Sequence, residues 1–410
     1  MRRIDYWVGV PACFVLSGLV HLLARWRGPR PAPAASSVLF LELSEMGSTI
    51  LASAAIRRVR ARHRGGRHGF VIFEKNAPSL RLLGLFAEDE ICTIRDDSLL
   101  HMAADLAGFV RWRRRRRFDV VIDLELFSRV SSILSLLAGA PARVGFDNYR
   151  GEGLYRGNHL THRVHYNPYH HMSQNFMALI DALEDDPRVI PMPKRTVPVP
   201  AVPVHVDPEP EAFAYVRREL AASGPLAGAS RVVVVNHDAG SLLPIRSWPV
   251  ERFTALVRRL LAHDAALVVV LMGIRESLES ARALAAAVGD PRCVNFVGRT
   301  RSLVDVLQLF HQADLLITND SGPAHFASLT PIASITLFGP ETPVLYGPLG
   351  PRAVHLFAGL ACSPCLSALN HRDSPCTDNV CLQVIEVDEV FEHARRLLEA
   401  APPRAAAVSA

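Results

Sequence analysis

Residues 315–325 read LLITNDSGPAH: a short apolar run, then a polar turn, then the start of a new segment. The run over 315–318 is bounded by Asn319 and Asp320 and reads as a buried strand. Asp320 or Ser321 supplies an N-cap, and Pro323 suits a first turn where its missing N–H costs nothing, so a helix is predicted over 323–329. A further apolar run at 332–338 is the next strand. A strand, a tight capped turn, a helix and another strand form one βαβ unit of a parallel sheet.

The same rhythm extends upstream. Strands are predicted over 232–235, 266–272 and 294–296, with helices over 250–262, 277–288 and 302–312. A second series occupies the front of the chain, with strands over 38–43, 69–73, 91–94 and 118–123 and helices over 49–60, 79–86 and 99–113. Eight prolines between residues 185 and 210 separate the two series. The predicted class is α/β, with two Rossmann-like doubly wound parallel sheets and a ligand crevice at their carboxyl ends. Five segments result: 1–35, apolar, basic and membrane-associating; 36–190, the first domain; 191–230, a Pro-rich linker; 231–385, the second domain; and 386–410, a terminal helix and tail.

Composition narrows the class of protein. The chain has 410 residues, 49% apolar and 21% charged, which excludes intrinsic disorder and a polytopic membrane protein. Residues 1–150 hold 23 Lys and Arg against 14 Asp and Glu, a net of +9 within a total of +5. That asymmetry suits an anionic partner or a solvated arginine-rich face. The runs over 57–67 and 111–117 lack interleaved stacking aromatics, so a membrane surface is expected rather than nucleic acid. Seven cysteines in so long a chain fit a reducing cytoplasm.

Residues 7–24, WVGVPACFVLSGLVHLLA, lie between Arg2 and Arg3 and the later Arg25, Arg27 and Arg30. This segment reads foremost as a helix lying in the headgroup region; a true span, packing on the protein body, or a secretory signal are the other readings. The Pro/Ala stretch over 29–35 reads as a tether.

Three post-strand loops carry candidate chemistry. In the loop at 318–325, Asp320, Ser321, Gly322 and His325 surround a helix start whose free N–H groups suit a diphosphate. In the loop at 236–249, Arg246 offers a bidentate phosphate partner and Ser241 a hydroxyl donor. In the loop at 43–49, Glu45 is the carboxylate able to take a proton from an acceptor hydroxyl, with Gly47 and Ser48 beside it. Asp123 and Glu125 compete for the base role. The stretch 149–171, rich in Tyr, His, Asn and Arg, reads as a sugar-binding loop or a polar surface excursion, with Arg156 and Asn158 as acceptor-side candidates. Cys362, Cys365, Cys376 and Cys381 are spaced loosely enough that free thiols are the leading reading and a structural zinc site a lesser one.

These fragments resemble glycosyltransferase family 9, the ADP-heptose:lipopolysaccharide heptosyltransferases. NDSGPAHFASL, ITLFGPETPVLYGPLG, the CSPC segment and RSWPVERF carry the resemblance. It implies a GT-B fold and metal-independent, inverting transfer, with no cofactor, from a nucleotide-diphospho sugar to an envelope glycolipid, at the cytoplasmic face of the inner membrane. Asp320, Ser321, Gly322 and His325 take the donor diphosphate, and Arg246 stands where the family commonly has a lysine. The family's Gly-Asp pair is replaced here by Gly47-Ser48, which leaves Glu45 as the candidate base. Another nucleotide sugar, a GT-B epimerase and a non-catalytic membrane-surface protein are the alternatives.

Overall fold

A computed structural model describes residues 2–27, 37–147, 149, 154–199, 204–226, 229–240 and 243–400. The chain divides into two units, Met1–Ala201 and Val202–Ala410. The tether at 29–35 and the end of the tail, 401–410, lie outside the described residues.

The first unit holds six parallel strands: β1 (Ser37–Leu41), β2 (Arg67–Phe73), β3 (Ile91–Ile94), β4 (Val120–Asp123), β5 (Ala142–Asp147) and β6 (His162–His165), in the order β3-β2-β1-β4-β5-β6. The second repeats the plan with β7 (Arg231–Asn236), β8 (Leu267–Met272), β9 (Cys293–Asn295), β10 (Leu315–Asn319), β11 (Ala333–Phe338) and β12 (Ala353–Phe357), ordered β12-β11-β10-β7-β8-β9. Central strands are covered on both faces, so they read as continuous Val, Ile and Leu rather than an alternating pattern. In each sheet the order reverses at one place, between β1 and β4 and between β7 and β10. In open α/β sheets such a reversal is where the loops at the strands' carboxyl ends bind ligands.

The structure departs from the sequence reading in three places. The stretch 149–171 is not an open loop: it carries β6, paired with β5, and buries Leu154, Arg156, His159, Leu160 and Tyr166. Its polar composition hid an edge strand that needs apolar residues on one side only. Within 191–230, expected as a linker, Pro210–Ser223 is an α-helix that starts on a proline, buries Ala212, Val216 and Leu220, and packs on Leu303–His311. Helices Arg129–Leu137 and Met172–Asp181 and strands β5 and β12 complete the units without having been predicted. Helix Val387–Glu399 closes the second unit against Val250–His263.

Candidate functional site

In the second unit, β7 and β10 end side by side, with Thr318 opposite Asn236. Asn236 donates through Nδ2 to Thr318 Oγ1 at 3.0 Å and to Ser321 Oγ at 3.3 Å. Asn319, wholly buried, accepts from the Trp248 N–H at 2.8 Å and donates to the His237 carbonyl at 3.1 Å. One asparagine thereby holds both ends of the loop after β7 against the end of β10. Asn379 grips the same loop from the other side, donating to the carbonyls of Ile245 (3.1 Å) and Ser247 (2.8 Å).

The residue so clamped is Arg246, at the end of a 3₁₀ turn, Pro244–Arg246. Its guanidinium donates to Asp320 Oδ2 at 2.7 Å, and Asp320 is buried. Burial drives the Asp320 carboxyl up from its ordinary value against the pull of Arg246. Burial also works against the charge of Arg246, but Asp320 and Glu341 more than offset this and hold it above the usual arginine value. Ser321 is the N-cap of helix Gly322–Ala327 with extended backbone, and its hydroxyl donates to the Asn319 carbonyl at 3.1 Å without accepting from a helix N–H group. Gly322 sits at the helix start and His325 is buried within its first turns. Ser241 lies outside the described residues.

Glu341 escaped the sequence reading. It follows β11, whose carboxyl end adjoins that of β10, and it is buried. Oε1 lies 3.3 Å from Arg372 Nε, while Oε2 has no hydrogen-bond partner. Burial, reinforced by the charge of Asp320 and opposed by Arg246, pushes Glu341 up to about 8. The only available signal was its place in GPET, directly after a buried strand; composition says nothing about a carboxylate's depth.

The segment bearing Cys362, Cys365, Cys376 and Cys381 folds over this edge of the sheet, with the Cys365 and Leu366 N–H groups donating to the Pro340 carbonyl at 3.0 and 2.9 Å. Cys365 accepts from Ser374 Oγ at 3.2 Å, Cys376 donates to the Asp378 carbonyl at 3.1 Å, and all four thiols are free. Among the described residues no group of three or more His, Cys, Asp or Glu is arranged to hold a metal.

In the first unit the corresponding place is the carboxyl ends of β1 and β4. Glu125 is committed to scaffolding: Oε1 accepts from the N–H groups of Leu43 (2.7 Å) and Ser44 (2.8 Å) and from Ser44 Oγ (2.8 Å). Asp123 is fully buried, ion-paired with Arg156 and bonded to Ser131 Oγ at 3.0 Å. Burial pushes it up to about 6, with Arg156 pulling down and Glu125 adding to the rise. Arg156, expected on the acceptor side, is 4% exposed; it also donates to the Glu125 carbonyl at 3.0 Å. It therefore props the loops rather than presenting a free cation. Asn158 is exposed, and its backbone N–H donates to Ser17 Oγ at 2.8 Å.

Glu45 is different. It is the N-cap of helix Met46–Arg62, partly exposed, with Oε2 accepting from Ser48 Oγ at 2.9 Å. Gly47 lies in the same first turn, partly exposed, and Ser48 is buried. Of Asp123, Glu125 and Glu45, Glu45 alone is not buried.

Two Rossmann-like units, each gathering charged side chains at its switch point, define the GT-B class of fold. Solved structures match on that scale. E. coli ADP-heptose lps heptosyltransferase II aligns over 88% of this chain and 98% of its own, at 20% identity and a TM-score of 0.65. The family 9 glycosyl transferase of Veillonella parvula aligns over 89% and 98%, at 19% identity and a TM-score of 0.68. The chain belongs to glycosyltransferase family 9 (heptosyltransferase), whose model matches residues 109–374. Lipooligosaccharide heptosyltransferase 2 of Haemophilus influenzae is 27% identical over 243 residues, 58% of this chain and 65% of that protein. The Campylobacter jejuni protein of that name (serotype O:2) is 33% identical over 89 residues, 21% of this chain and 26% of its own. The chain thus spans under two thirds of the length of these curated relatives.

Proposed function

We propose that this protein transfers a heptose from ADP-heptose to a lipopolysaccharide-core or related envelope glycolipid, with inversion and without a metal, at the cytoplasmic face of the inner membrane. The observation that carries this reading is half-buried Arg246, paired with buried Asp320, at the switch point of a family 9 second unit. E. coli heptosyltransferase WaaC, solved with ADP and with an ADP-2-deoxy-2-fluoro heptose, shares the fold at TM-scores of 0.58 and 0.54, which supports an ADP-sugar as the donor.

The acceptor hydroxyl oxygen attacks the anomeric carbon, and the bond from that carbon to the diphosphate oxygen breaks on the opposite side. Glu45 takes the hydroxyl proton. The departing diphosphate gains negative charge, which Arg246, the N–H groups at Gly322 and the imidazole of His325 stabilise, with Ser321 and Ser241 as hydroxyl partners. Asp320 orients Arg246: a fixed guanidinium loses little freedom when a phosphate arrives.

The test is nucleotide release by the purified chain from ADP-heptose, beside UDP- and GDP-sugars, with and without a lipopolysaccharide-core acceptor and with and without EDTA. Acceptor-dependent, EDTA-insensitive ADP release is expected. Release from a UDP- or GDP-sugar alone overturns the choice of donor, and no ADP binding overturns the assignment of Arg246.

A further inference from the structure

We infer that the amino-terminal helix is an in-plane membrane-docking edge of the first unit, taking an anionic phospholipid surface. Gly9–Arg27 is one helix, preceded by Arg2–Trp7. Gly9, Cys13 and Ser17, spaced four apart, are buried against the first unit. A Cβ on Gly9 would lie 2.7 Å from Arg129 Cβ, so only glycine permits this approach. Ser17 Oγ accepts from the Asn158 N–H at 2.8 Å. Asp5 completes the seat: Oδ2 lies 3.1 Å from an Arg129 guanidinium nitrogen, and Oδ1 accepts from the N–H groups of Arg129 (3.0 Å) and Val130 (3.2 Å). Arg129 is itself buried and donates through Nε to the Tyr155 carbonyl at 3.1 Å.

The opposite face is apolar and uncovered. Trp7 is 73% exposed and Phe14 71%, with Val8, Val15, Leu19 and Leu22 exposed along the same stripe. Over Asp5–Leu22 the mean hydropathy is 1.3, yet only 17% of these residues are buried. A core helix of such composition would be covered, and a patch this continuous marks an interaction site. Because the inner face is held from Asp5 to Ser17, a bilayer meets the helix along its side and not end-on. The occupant follows from charge: residues 1–150 carry a net of +9, which suits anionic headgroups, and an aromatic at the start of the stripe suits the interface. The seat bonds directly to Tyr155 and Asn158, so a lipid-borne acceptor is delivered beside the first unit's loops. This last point rests on the acceptor read above.

The experiment uses the full chain and vesicles of phosphatidylethanolamine with phosphatidylglycerol, beside phosphatidylcholine alone. Binding to the anionic vesicles, with a blue shift of tryptophan emission that Trp7→Phe removes, is expected. The triple variant Phe14→Ser, Val15→Ser, Leu19→Ser should lose at least about tenfold in vesicle partition, with its unfolding midpoint kept. Alkaline carbonate should strip the protein from cell membranes. Retention in the carbonate-washed pellet, equal binding by the triple variant, or a lipid-free dimer that this variant abolishes without vesicle binding would each overturn the inference. The wild-type Trp7 signal decides the matter even if the triple variant fails to fold. Vesicle binding without acceptor-dependent ADP release sinks the catalytic reading alone; ADP release on detergent-solubilised acceptor without vesicle binding sinks this one alone.

Discussion

Replacing Arg246 by Met tests the pair at the centre of the second unit. The substitution keeps much of the side chain's bulk and deletes the guanidinium 2.7 Å from Asp320. Removing half-buried Arg246 strands the charge of buried Asp320, which costs about 3 kcal/mol, the low end for a broken buried pair. Asp320 has an escape, since burial already raises its proton affinity and loss of Arg246 raises it further. A carboxyl with a folded-state pKa above its unfolded value binds its proton more tightly when folded. The penalty is therefore largest at neutral pH and shrinks as pH falls toward the ordinary carboxylate range, by at most about 1.4 kcal/mol per pH unit. We expect Arg246→Met to destabilise the second unit by about 3 kcal/mol at pH 7 and by clearly less at pH 5. Adding Asp320→Asn should remove that pH dependence. Trp248, buried in this unit, reports denaturant unfolding by its fluorescence. ADP affinity, measured by calorimetry, should fall about tenfold to about a hundredfold, the worth of a lost charged hydrogen bond to phosphate. A stability loss under about 1 kcal/mol with no change between pH 5 and 8, or unaltered ADP affinity, would refute the reasoning.

Three further outcomes are expected. Glu45→Gln should abolish acceptor-dependent turnover while leaving ADP affinity within about twofold; full turnover in this variant removes Glu45 as the base. Glu341, pushed up to about 8 by burial, binds its proton more tightly in the folded chain, so stability of the second unit should decline as pH rises from about 4.5 to about 8. Glu341→Gln should flatten that decline in pH-dependent unfolding, and an unchanged slope assigns the effect elsewhere. Asn319→Ala strands the Trp248 N–H and the His237 carbonyl, at about 1–3 kcal/mol each, and should loosen Arg246 enough to weaken ADP binding together with stability. Weakened stability with intact ADP affinity would show that the clamp does not position the guanidinium.

Local signals and tertiary context divided the molecule between them. Continuous apolar runs such as 232–235 and 315–318, each ending on turn residues before a helical period, announced buried parallel strands and their helices. Asp320, Ser321 and Pro323 announced the start of a helix, because capping and proline geometry are decided within a few residues. The order β3-β2-β1-β4-β5-β6 was not legible, since adjacency of β1 with β4 depends on which runs cross over and not on any one run. Nor was the edge strand β6, which is polar enough to pass for a loop. At the site, residue types and spacing named Arg246, Asp320 and Glu45, but the roles of competing carboxylates turned on depth. Asp123 and Glu125 stand two residues apart in the same segment as charges of the same kind. Folding buries one against Arg156 and spends the other on the N–H groups of Leu43 and Ser44, whereas Glu45 stays partly exposed. Glu341 was invisible for the same reason: its proton affinity is set by burial and by Asp320, which lies twenty-one positions away in the chain and beside it at the ends of β10 and β11. Sequence carries the chemistry a side chain is capable of, and desolvation with partner distance, which exist only after the chain has folded, determine which part of that chemistry it keeps.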